Sequence, residues 1–172
     1  MAEQHEEPAV RSSSGPRWHG RVRVEIVATI GKVWAIGSDF CGLTKWIPTM
    51  EFCQRIEGKG QTPGCVRYAG GHTFPRTDGQ KSWAKERLLS IDNTNLSYSY
   101  VMEDGNMGLN GYFAKFQLFE GKNSDTTWVD WSFEMDPSTA GSKDEVIGKQ
   151  IAFLSAAVKR LEIAASTLES AL

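Results

Sequence analysis

The longest regular alternation of apolar and polar positions lies at the end of the chain. Between Ser142 and Leu172, the residues Ile147, Ile151, Leu154, Val158, Leu161, Ala165, Leu168 and Leu172 follow one another at steps of four and three. That spacing puts them on one face of a helix of roughly seven turns. Ser142 and Glu145, three positions apart at its start, have the composition of a capping box. A second ridge of small residues, Ala152, Ala156, Ala157 and Ala164, allows close approach to the helix backbone, with Phe153 as the one large exception. A coiled coil would use the same stripe, but flanking charges are sparse and no second long helix is present to pair with it. The helix therefore has to be covered by other elements of the same domain.

Upstream the period changes from 3.6 to two. Val22, Val24 and Ile26 alternate with Arg21, Arg23 and Glu25, as a strand with one buried and one solvated face requires. Thr29–Phe40 and Gly42–Trp46 read as two short helices stopped by Pro48. Met50–Ile56 and Cys65–Ala69 follow as strands around Glu57-Gly58-Lys59-Gly60. The glycine-rich run Gly70–Gln80 is expected to be a loop, since it lacks the lysine and following helix that a phosphate cradle needs. Lys81–Asp92 and Leu96–Glu103 flank Asn93-Thr94-Asn95 as a hairpin, and Gly111–Glu120 and Thr126–Met135 repeat the arrangement around Gly121-Lys122-Asn123. Tyr112, Ala114, Phe116 and Leu118 share one face, as do Val129, Trp131, Phe133 and Met135. The order predicts an α+β domain of the helix-grip kind: a curved antiparallel sheet of about seven strands around the C-terminal helix, with two short helices after the first strand. A sheet facing a helix of small residues can leave an internal cavity.

Composition narrows the function. At 172 residues and 40% hydrophobic content the chain suits one domain, and six Trp with eight Phe supply aromatic surface beyond one core. A net charge of −2 gives no long-range attraction to nucleic acid, and no stretch is apolar enough to span a membrane. The polar residues 1–16 cannot bury enough surface to offset their ordering and are expected to form a disordered tail. Their acidic start is unlike a secretion signal. Cys41, Cys53 and Cys65, odd in number and without nearby His, fit reduced thiols rather than disulfides or zinc. Together these features point to a cytoplasmic monomer without a metal.

Four stretches carry a resemblance. Gly64-Cys65-Val66-Arg67-Tyr68, Trp83-Ala84-Lys85-Glu86, Leu96-Ser97-Tyr98-Ser99-Tyr100 and Trp131-Ser132-Phe133 are similar to the corresponding segments of plant lachrymatory factor synthases and their relatives. The likeness runs from about Trp18 into the C-terminal helix. By it the chain is identified as a member of the START-like superfamily of polyketide cyclase/dehydrase and lipid-transport proteins, which hold small hydrophobic molecules in a cavity. The resemblance implies a helix-grip domain over 17–172, no cofactor, and catalysis by an arginine, a glutamate and a tyrosine that fall here on Arg67, Glu86 and Tyr112. In an apolar cavity a carboxylate beside a cation feels desolvation and attraction in opposite senses, which can poise it for proton transfer. The arginine can steady a substrate oxygen, and the tyrosine hydroxyl can donate or accept.

Ligand contacts are expected from Phe74, Tyr98, Tyr100, Trp131, Phe133 and Leu154, with Gly70–Gln80 as the mobile edge of the cavity. A purely structural Arg67–Glu86 ion pair, or two side chains facing solvent on adjacent strands, would use the same residues. Two functional classes stay open: an enzyme of cofactor-free proton transfer, isomerisation or cyclisation on an apolar metabolite, and a carrier or sensor that only binds one. The loop is longer than in the onion-type enzyme, and Leu109 stands where that enzyme has a tyrosine, which leaves cavity shape and substrate open. Abscisic acid receptors share the fold, but their Ser-Gly-Leu-Pro-Ala gate is absent here and Met107-Gly108-Leu109 replaces their latch. Glu51 stands where they place a ligand-anchoring lysine, opposite in charge, which argues against a receptor.

Overall fold

The computed structural model describes residues 16–74 and 76–168. The expectation for the tail therefore falls, apart from Pro16, outside the described residues, as does Leu172. Strand β1 (Trp18–Ile26) leads into helix α1 (Ile30–Gly37) and a 3₁₀ turn at Leu43–Lys45. Strands β2 (Met50–Glu57), β3 (Val66–Gly71), β4 (Ser82–Asp92), β5 (Ser97–Gly105), β6 (Phe113–Glu120) and β7 (Thr127–Met135) follow, and helix α2 (Lys143–Leu168) closes the described chain. All seven strands form one antiparallel sheet in the order β1-β7-β6-β5-β4-β3-β2. Register shifts in β2 and β4 curve it, as an extra residue on one strand bends a ladder. Helix α2 packs on β1 and α1, which is the helix-grip arrangement.

Local chemistry explains the boundaries. Ser142 Oγ accepts from the Glu145 N–H at 3.2 Å while Glu145 Oε2 accepts from the Ser142 N–H at 3.3 Å, so the capping box closes as its spacing requires. The first hairpin turns because Asp92 Oδ1 accepts from the Thr94 and Asn95 N–H groups, both at 2.9 Å. The expected helix Thr29–Phe40 is shorter, since after Gly37 the chain turns away at Ser38, whose N–H bonds the Trp34 carbonyl. The second short helix is only the three-residue 3₁₀ turn.

Two faces differ from their periodic reading. On α2 the buried residues are Val146, Gln150, Leu154, Ala157, Val158, Leu161 and Ala165. Ile147 and Ile151 are only half-buried and Leu168 is exposed. The burial stripe of the first turns thus runs through Val146, Gln150 and Leu154, which brings the polar Gln150 inward. On β1 only Val22 and Ile26 are buried; Val24 is exposed, at an edge strand with a neighbour on one side only. The pair Gly70-Gly71 belongs to β3 rather than to a loop. A Cβ at Gly70 would meet the Ser82 carbonyl at 2.3 Å, and one at Gly71, where φ is +149°, would meet the Thr49 carbonyl at 2.4 Å. These glycines permit close approach of neighbouring backbones.

The core is aromatic and asymmetric. Tyr98 stacks on Phe116 at 5.0 Å and Phe116 meets Trp131 edge-on at 5.2 Å, while Tyr112 stacks on Phe133 at 5.5 Å. The three cysteines are free, and Cys41 Sγ and Cys65 Sγ lie 3.7 Å apart. Burial pushes the Cys41 thiol up to about 12, with the Cys65 contact adding to it. No described helix is long and apolar enough to cross a membrane.

Candidate functional site

The interior space lies at the β2–β4 side of the sheet, under the β3–β4 connection and the first half of α2. Its volume is about 50 Å³, several times the space one water needs by the same kind of measure. Leu43, Ile47 and Met50 wall it from the 3₁₀ turn and β2, Phe74 from the connection, Met107 and Leu109 from the β5–β6 loop, and Gln150 and Phe153 from α2. The sheet contributes Arg67, Ala84, Glu86, Tyr100 and Trp131.

The charged pair is set by register. Arg67 on β3 stands directly opposite Glu86 on β4, so both side chains leave the sheet on the same face. Arg67 is 2% exposed and Glu86 8%. Arg67 donates from Nε to Glu86 Oε2 at 2.6 Å and from Nη1 to the Phe40 carbonyl at 2.7 Å, and its Nη2 lies 2.6 Å from the same Glu86 oxygen in an ion pair. The guanidinium also lies over the Phe40 ring at 4.0 Å and the Tyr100 ring at 5.0 Å. Burial pulls the Arg67 pKa down, but the Glu86 carboxylate outweighs it and the net shift is upward, so the guanidinium stays charged. Among the described residues no hydrogen bond reaches Glu86 Oε1, and that oxygen is not sealed off from space.

Around the pair the polar groups are neutral. Trp131 Nε1 donates to Tyr100 Oη at 3.2 Å, and Gln150 Nε2 donates to Tyr112 Oη at 2.7 Å. Burial raises the phenol of Tyr98 to about 12 and pushes those of Tyr100 and Tyr112 well above their ordinary value, with Glu86 adding to each. These tyrosines therefore act as uncharged donors and acceptors, never as phenolates, near neutral pH.

Of the residues expected at the site, Arg67, Glu86, Phe74, Tyr100 and Trp131 share the cavity wall. Tyr98, Tyr112, Phe133 and Leu154 do not; they are buried in the packed core beside it. Tyr112 sits one hydrogen bond behind the wall through Gln150. Gln150 went unnoticed in the sequence, although it is the one polar member of the series Val146, Gln150, Leu154 and Leu161, a competing stripe at the same period. The wall residues Leu43, Ile47 and Met50 carry no sequence signal, because the turn that aims them inward is set by tertiary packing.

The edge of the cavity is tied down. Arg76 grips Asp78 with two hydrogen bonds, at 3.0 and 2.5 Å, and donates to the Asn106 carbonyl across the gap. Phe74, which looks exposed in sequence, is 8% exposed and forms part of the wall. The Arg76 hydrogen bond, followed by the Gln80 N–H, holds the Asp78 carboxyl at about 2, below its ordinary 3.8. A depressed carboxylate stabilises the folded loop fully above its unfolded pKa, and that contribution fades as pH falls through the folded value. The loop contact is thus expected to persist at pH 4 and to be lost toward pH 2. A carboxyl-carbon NMR titration of Asp78 should show its midpoint near 2; a midpoint at about 3.9, the free aspartate value, would remove the contact.

A curved sheet gripping a helix over a walled interior cavity defines the helix-grip class of fold. Residues 17–167 match the family described as polyketide cyclase/dehydrase and lipid transport, and the chain belongs to that family. Among solved structures it is similar to a protein of Bacillus thuringiensis at 26% identity, covering 86% of this chain and 98% of that one with a TM-score of 0.72. XoxI of Bacillus cereus matches at 26% identity over 88% and 98% of the two chains, TM-score 0.74. Ara h 8.0201 matches at 17% identity over 88% and 99%, TM-score 0.70, a likeness of fold.

Proposed function

We propose that the chain binds a compact, largely apolar metabolite beside Glu86 and catalyses a cofactor-free proton transfer on it, an isomerisation or cyclisation of the kind performed by the lachrymatory factor synthases it resembles. One observation carries this reading. Arg67 holds Glu86, a cavity-wall residue, through Oε2 alone, and among the described residues no hydrogen bond reaches Oε1. A carboxylate kept only for structure would be expected to have both oxygens engaged, since buried polar atoms are normally paired. Glu86 Oε1 takes a proton from a bound molecule and returns it to another atom of the same molecule. The electron pair left behind moves within the ligand, so no redox partner is needed. Arg67 is the positioning residue: it fixes the carboxylate while the apolar walls exclude water. Tyr112 acts at one remove, by orienting Gln150.

The family's association with lipid transport and polyketide cyclisation supports a hydrophobic ligand. The test is native mass spectrometry of protein purified from its source, with identification of the retained molecule. That molecule is then offered back in D₂O. Wild type should exchange one of its C–H or O–H positions, and Glu86→Gln should slow the exchange by about 100-fold or more. A retained molecule that neither form exchanges would make the protein a carrier.

A further inference from the structure

The charge inventory of the cavity is balanced. Arg67 is paired with Glu86 and also donates to the Phe40 carbonyl, while Trp131 Nε1 donates to Tyr100 and Ser82 Oγ to the Gly71 carbonyl at 3.1 Å. Gln150 Nε2 is held by Tyr112. Among the described residues, two acceptor oxygens of wall residues receive no hydrogen bond, Glu86 Oε1 and Gln150 Oε1. Lys149 and Arg160, which have no ion pair among the described residues, line an outer groove along α2 and are not on the cavity wall.

This inventory decides what can enter. The wall holds one cation already neutralised by one anion, so a ligand carboxylate would add an uncompensated negative charge next to Glu86. A buried, unpaired charge is heavily penalised. A neutral molecule with one O–H, S–H or N–H group does the reverse, since it gives Glu86 Oε1 a charge-assisted hydrogen bond and leaves the charge count unchanged. We propose that this cavity selects neutral hydrogen-bond donors on a short apolar skeleton, such as alcohols, thiols or oximes, and rejects the carboxylate of the same skeleton. The proposal rests on the reading of the cavity as a ligand site and adds the class of ligand.

The test titrates the ¹⁵N-labelled full chain with hexan-1-ol and with hexanoate at pH 7.5, following the amides of Gly70 and Ala84 on the wall. Hexan-1-ol should bind at least tenfold more tightly. Lowering the pH should strengthen apparent hexanoate binding about tenfold per unit, because only the neutral acid enters, until the ligand's own pKa is reached. Glu86→Gln should invert the preference, since Arg67 then lacks a counter-ion and hexanoate can replace it. If that variant does not fold, the pH series on wild type decides alone. Hexanoate binding wild type as tightly as the alcohol, at the same amides and independently of pH, would overturn the selectivity while leaving the ligand site intact. If neither probe shifts the wall amides at any pH, the ligand site itself falls and the selectivity with it.

Discussion

Leu154→Asp is expected to abolish the folded domain. Leu154 is fully buried at the middle of α2, where the helix meets the sheet. The aspartate would lose the packing of the leucine, a loss of about 2–5 kcal/mol for truncation alone. It would also place a carboxylate in an apolar interior with no partner. Together these approach the entire stability of an ordinary domain, about 5–15 kcal/mol. Circular dichroism should show no cooperative melt above room temperature, or no soluble protein at all. Ile163→Asp, on the same helix but 55% exposed, provides the contrast and should change stability by no more than about 0.5 kcal/mol. A Leu154→Asp protein that melts like the parent would mean that α2 is not gripped as described.

The second large effect concerns the Arg67–Glu86 pair, and it comes in two parts. Glu86→Gln leaves a guanidinium 2% exposed without its counter-ion, and arginine cannot shed its charge to escape. Breaking a buried pair from one side costs about 3–5 kcal/mol. The double replacement Arg67→Met, Glu86→Leu removes both charges and should recover most of that loss. It should stay about 1–3 kcal/mol below the parent, because the Phe40 carbonyl loses its donor. Stability therefore does not separate a structural pair from a catalytic one, since this geometry serves both. Chemistry does. The stable double variant should hold apolar ligand yet show no proton exchange, whereas a pair kept only for structure would leave exchange at the same level in all forms. Urea melts and exchange rates measured on the parent, Arg67→Met, Glu86→Leu and the double variant complete the cycle.

The strands and α2 were legible in sequence because each has one dominant period and clear punctuation. The alternation in Val129, Trp131, Phe133 and Met135 fixes an inward face without reference to any other element, and all four are buried. The capping box was legible for the same reason: both of its partners lie within four residues. The drift of the α2 stripe toward Gln150 was not, because two overlapping apolar series satisfy the same period. Which of them is buried depends on how the helix lies on the sheet.

Arg67 and Glu86 stood out through the likeness of short segments to known proteins, not through any pattern of their own. That they face each other is a consequence of β3–β4 register, with the pair 19 positions apart in sequence. Tyr98, Phe133 and Leu154 were placed among ligand contacts on residue type and face, and Tyr112 among the catalytic residues through the resemblance. Face alone cannot say whether an inward aromatic lines a space or fills it. That distinction is made by neighbours from distant parts of the chain. Phe116 stacks over Tyr98 and Phe133 over Tyr112, closing one half of the interior, while the glycines of β3 and the turn at Leu43–Lys45 leave the other half open.

The sequence by itself determined the seven strands, the long C-terminal helix and their order, since these depend on interactions among residues a few positions apart. The tertiary structure alone decided where the interior stays open, which face of α2 is buried, and that Arg67 and Glu86 meet on the cavity wall. Those outcomes depend on register and packing between segments that the chain brings together only on folding.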